Sequence, residues 1–157
     1  MRVYVSNAKY HPDVEKLREL LSKVTDEQKL NILKQTRWTD MTALHKAAGR
    51  DDAEMIATIL SSIQSSDRLK PLMVRDDDNC TPLHAAAWRG RTESVKAILN
   101  SLTADQQMQL LVAECRDYKT AVEMASGETA DVLSDYKNEA LEKADPGEFM
   151  PLNSDVL

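Results

Sequence analysis

Apolar positions recur along this chain with one rhythm. Leu17, Leu20 and Leu21 share an i, i+3, i+4 spacing with Ile56, Ile59 and Leu60, and with Val95, Ile98 and Leu99. Consecutive copies lie 39 residues apart, and the residues between the apolar ones are mostly polar, as in Glu15-Lys16-Leu17-Arg18-Glu19. At 3.6 residues per turn this spacing gathers the apolar side chains into one stripe, so it predicts an amphipathic helix three times in register.

A further helical signal follows. Thr25-Asp26-Glu27-Gln28 and Thr103-Ala104-Asp105-Gln106, 78 residues apart, have the form of capping boxes. The first precedes Leu30, Ile32 and Leu33, the second Met108, Leu110 and Leu111. The middle version is Ser66-Asp67-Arg68-Leu69-Lys70-Pro71-Leu72-Met73, with Pro71 at the place of Ile32 and Leu110. Deep in a helix a proline removes a hydrogen bond and clashes with the preceding turn, so this copy is predicted short, kinked or partly 3₁₀.

The same offset relates Thr42-Ala43-Leu44-His45-Lys46-Ala47-Ala48, Thr81-Pro82-Leu83-His84-Ala85-Ala86-Ala87 and Thr120-Ala121-Val122-Glu123-Met124-Ala125-Ser126. Thr81 can cap a helix through its hydroxyl, and Pro82 suits a first helical position. Ala85 to Ala87 permit close approach of another helix. A fixed period of a few tens of residues points to a stack of supersecondary units.

The T-P-L-H-x-A motif of residues 81–86 resembles the ankyrin repeat. That family's common repeat is about 33 residues long. The resemblance is therefore to a long-repeat variant, with the addition between the second helix and the next T-x-L-H turn, where β-hairpin fingers are shortened or replaced. The implied fold is an all-α ankyrin-type helical solenoid of helix–turn–helix repeats with an extra short helix between repeats. Residues 1–143 form the repeat domain: a degenerate unit 3–41, whose motif has decayed to Val3-Tyr4-Val5-Ser6-Asn7-Ala8, full units 42–80 and 81–119, and a capping unit 120–143. Residues 144–157, with two prolines and a glycine, form a C-terminal tail.

Composition narrows the function. Two Trp, four Tyr and one Phe leave an aliphatic core, and few Gly and Pro favour helix. A net charge of −6 argues against a nucleic-acid partner. No apolar run approaches the ~20 residues of a membrane span, and Met1 to Tyr10 lack the order of a signal peptide. Cys80 and Cys115 make no disulfide framework, which favours a reducing, intracellular and cytoplasmic setting.

Candidate chemistry resolves into structure. His45 and His84 occupy equivalent repeat positions, so a loop-bridging role explains both, and His11 lies outside the pattern. Cys80 stands four residues before His84, yet its place is Met41 in one unit and Lys119 in another; a nucleophile would also need an orienting group and an oxyanion site. Asp76-Asp77-Asp78-Asn79 departs from the EF-hand pattern, with Thr81 and Ala87 where glycine and glutamate are required. Asn79 fills the place where the family has a left-handed glycine; Asp40 and Tyr118 fill it in neighbouring units. Tyrosine tolerates that conformation poorly, so the last turn is expected to differ in shape. The chain reads as no enzyme, with no catalytic residue, metal site or cofactor.

By the resemblance, a protein partner binds on the concave face, through loop tips and the exposed ends of first helices. The tips are Trp38, Thr39 and Met41, then Asp77, Asp78 and Cys80, then Arg116, Asp117 and Lys119. The helix ends are Gly49 and Arg50, then Trp88 and Arg89. Trp and Arg carry much interface energy, which makes Trp38, Trp88, Arg50 and Arg89 the anchors; the alternative for Trp88 is to cover a neighbouring unit. The expected function is a non-catalytic scaffold or adaptor, a monomer; the alternatives are a structural or oligomerisation module of a larger protein, or a bacterial effector delivered into a host cytosol. Glu139, Glu142 and Glu148 with the long repeat are similar to such effectors, as they are to long-repeat ankyrins of animals. Asp155-Val156-Leu157 resembles an acidic-type PDZ ligand.

Overall fold

The computed structural model describes residues 12–35 and 41–143. Every regular element among them is helical: α1 (Pro12–Ser22), α2 (Asp26–Leu33), α3 (Ala43–Gly49), α4 (Ala53–Ser61), a 3₁₀ turn (Ser65–Asp67), α5 (Leu69–Leu72), α6 (Pro82–Trp88), α7 (Thr92–Asn100), α8 (Ala104–Leu111), α9 (Ala121–Met124) and α10 (Gly127–Lys143). The helices stack in three rows. An inner row runs α3, α6, α9; a middle row runs α1, α4, α7, α10; an outer row runs α2, α5, α8 and ends on α10. At 17 residues, α10 is long enough to close the middle and outer rows together.

The predicted stripes form the core. Ile56, Ile59 and Leu60 of α4 and Val95, Ile98 and Leu99 of α7 are buried, as are Leu44, Leu83, Ala47, Ala48, Ala86 and Ala87 of the inner row. The alanines let inner helices lie close, while the branched residues fill the space between rows.

The first unit departs from the stripe. Leu21 is buried, but Leu20 is 52% and Ile32 49% exposed, although their repeat equivalents Ile59, Ile98 and Leu110 are all buried. The reason is position: α1 packs on α4 and α2 on α5, so each has a described neighbour on one side, whereas α4 and α7 are flanked on both.

Both predicted capping boxes are present. Thr25 accepts from the Gln28 N–H and the Gln28 side chain accepts from the Thr25 N–H; Thr103 and Gln106 repeat the arrangement. The middle copy is the 3₁₀ turn followed by the four-residue α5. Restarting the helix at Leu69 puts Pro71 in a first turn, where its missing N–H has no intrahelical acceptor to forfeit.

Candidate functional site

The T-x-L-H segments are built alike. The Thr42 and Thr81 hydroxyls accept from the backbone N–H of His45 and His84, each at 3.4 Å. In return the Thr42 and Thr81 N–H groups donate to the histidine Nδ1 atoms, each at 3.2 Å. Nδ1 is therefore an acceptor and Nε2 carries the proton. That proton is donated across the turn, from His45 to the Cys80 carbonyl at 2.9 Å and from His84 to the Lys119 carbonyl at 3.1 Å. Each histidine ties the start of its helix to the last residue of its own unit, just before the next unit begins. Burial pushes both pKa values below the ordinary range, in keeping with neutral rings.

This network leaves Cys80 without a base in His84, both of whose ring nitrogens are engaged. The Cys80 thiol donates to the Asp78 carbonyl, and burial, with the charge of Asp76 next, pushes its pKa up to about 12. The carboxylates nearby shape the turn: Asp76 Oδ1 accepts from the N–H groups of Asp78 and Cys80, both at 2.9 Å.

The loop tips are short turns with matching backbone bonds. Asp76 N–H donates to the Cys80 carbonyl and Asn79 N–H to the Asp76 carbonyl; Cys115, Lys119 and Tyr118 repeat the pattern at 3.0 and 2.9 Å. Asn79 has φ 60° and Tyr118 φ 58°. The expectation that the Tyr118 turn differs in shape is thus corrected. The two backbone bonds fix its conformation, and the ring, 81% exposed, meets no crowding that would forbid it. The tips are stitched to each other. Arg116 donates to the Asp77 carbonyl and lies 3.5 Å from the Asp78 carboxylate, while Arg75 bridges the carbonyls of Asn79 and Glu114.

Asp77, Asp78 and Arg116 therefore meet at adjacent tips, with Lys119 exposed at the end of the second. Met41 is half-buried at the entry to α3. Trp38, Thr39, Asp40, His11, the decayed motif of residues 3–8 and the tail lie outside the described residues. At the C-terminal end of α6, Trp88 is 67% exposed and does not cover its neighbour. The Arg89 guanidinium sits 5.7 Å from the Trp88 ring centroid, within cation–π range. Its side chain passes over Gly49, where an added Cβ would lie 3.7 Å from Arg89 Cδ and Nε. Arg91 holds the same corner by donating to the Gly49 carbonyl at 3.1 Å. Arg50 is exposed beside them. The geometry adds Lys46, exposed on α3 one turn before Arg50 and belonging neither to a loop tip nor to a helix end. Its signal was the four-residue spacing to Arg50.

No described helix is long and apolar enough to cross a membrane. A family model of ankyrin repeats (3 copies) matches residues 5–110. No curated protein matches the sequence. Among solved structures, the chain is similar to one in the crystal structure of the yeast ribosomal protein Rps3 in complex with its chaperone Yar1. That likeness has a TM-score of 0.57 at 20% identity and covers 85% of each chain.

Proposed function

This chain belongs to the ankyrin repeat family, a family of protein-interaction modules, and from that premise we propose that it is a non-catalytic adaptor. A protein partner engages the loop tips and the ends of the inner helices, with the repeat domain over residues 1–143 as scaffold. The observation that carries this reading is Trp88. A large aromatic left two-thirds exposed beside a stacked arginine, on a rigid helix end, is the composition of an interface anchor. Arg50 lies beside that anchor; Asp77, Asp78, Arg116, Lys119 and Met41, at the loop tips before the inner helices, are the further contacts of this reading, to which the sequence adds Trp38 and Thr39.

The test compares the intact chain with Trp88→Ala and Arg89→Ala variants in affinity capture, followed by titration of whatever protein is recovered. Both variants keep the folding midpoint, within about 0.5 kcal/mol as surface substitutions do. Each weakens the partner by about 1–3 kcal/mol. Unfolding of the stack by both substitutions would make these residues structural. Undiminished capture would move the interface to the outer row.

A further inference from the structure

Three exposed cations lie together on the inner row. Lys46, Arg50 and Arg89 make no ion pair among the described residues, as Lys16, Lys34, Arg68, Arg75, Arg91, Lys119 and Lys137 also make none; what sets the three apart is that they adjoin one another beside Trp88. The carboxylates nearest in sequence are committed elsewhere. Asp51 accepts from the backbone N–H and the hydroxyl of Ser94, at 3.1 and 3.0 Å, and Asp52 caps α4 through the Met55 N–H at 3.1 Å.

Lys46 and Arg50 are like charges at i, i+4, a spacing at which they repel. Arg89 joins them from the next unit because its side chain lies over Gly49, the residue before Arg50. Trp88 borders the strip with an exposed ring, and Glu128, one period after Arg89, ends it.

We propose that the strip of Lys46, Arg50 and Arg89 beside Trp88 receives an acidic segment of the partner protein. The claim rests on the adaptor reading and specifies its partner. Guanidinium forks suit bidentate pairing with carboxylates, and the Trp88 ring offers a face to an apolar residue flanking them. The net charge of −6 and the exposed Asp51 next to Arg50 oppose a long polyphosphate and tolerate a short acidic stretch.

The experiment selects a phage-displayed random peptide library on the full chain. Recovered peptides are synthesised and titrated, with a labelled single-stranded oligonucleotide alongside. Peptides rich in Asp and Glu are expected, weakening with added salt. They lose about tenfold or more on a folded Lys46→Glu/Arg50→Glu/Arg89→Glu variant. Peptides without acidic excess that still require Trp88 would overturn the acidic partner and leave the adaptor face standing. Peptides indifferent to both the charge variant and Trp88→Ala would overturn both. An oligonucleotide bound more tightly than any peptide would replace the acidic segment with nucleic acid. Recovery of no peptide above background would also overturn the acidic segment, with the adaptor reading decided by the capture experiment.

Discussion

The Thr81 N–H donates to the His84 ring inside a buried turn, so removing the imidazole strands that N–H and leaves the Lys119 carbonyl only its bond from the Cys115 N–H. His84→Ala is expected to cost roughly 2–4 kcal/mol, read from urea unfolding. The pH dependence follows from the direction of the shift. Both histidines have folded pKa values below the ordinary 6.5, so between the two values the unfolded chain binds more protons. Their contribution is full above 6.5 and is lost as pH falls toward the folded values. Unfolding midpoints measured downward from neutrality fall, and the slope in that window shrinks in His45→Gln and His84→Gln variants. At Cys80, the rise from 9.0 to about 12 leaves on the order of a thousandfold less thiolate at mildly alkaline pH. Alkylation by iodoacetamide is correspondingly slow in the folded protein and rapid in urea; equal rates would contradict the burial argument. Tyr118 holds a left-handed backbone that its Asn79 counterpart adopts more readily. Tyr118→Asn is expected to stabilise by about 0.5–1 kcal/mol, since the ring buries little and the strain is relieved.

At the scale of elements, the outer row shows how local chemistry decides whether a helix is whole. α2 and α8 each open on a complete capping box and run eight residues. Their middle counterpart has no side-chain cap and is split by the turn that accommodates Pro71. Thr103→Ala removes one cap interaction and is expected to lower stability by about 1 kcal/mol, with the loss of hydrogen-exchange protection concentrated in α8. These features were legible in the sequence because their partners lie within four residues of each other. The exposure of Leu20 and Ile32 was not. Their pattern equals that of buried residues in later units, and only the absence of a described neighbour on one side distinguishes them.

Across the whole molecule, stability is transmitted unit to unit, through histidines that reach 35 residues ahead and middle-row helices that pack on the next copy. The repeat, the helix stripes, the caps and the T-x-L-H turns were determined by the sequence alone, because each rests on contacts within a turn or on an interaction repeated at one fixed offset. A helical stack of repeated units followed from that periodicity, and the family from the resemblance of the T-P-L-H-x-A motif at residues 81–86. The candidate face was legible only in outline. Trp88, Arg50 and Arg89 could be placed at helix ends, but whether Trp88 packed against a neighbour or faced water depended on residues a full unit away. Tertiary structure decided that it faces water and that Arg89 lies over Gly49, beside Arg50. It also fixed the left-handed turn at Tyr118. The physical reason is common to these cases. Local hydrogen bonding and hydrophobic periodicity are written in neighbouring residues, whereas exposure, charge pairing and strain are set by what the adjacent unit brings alongside.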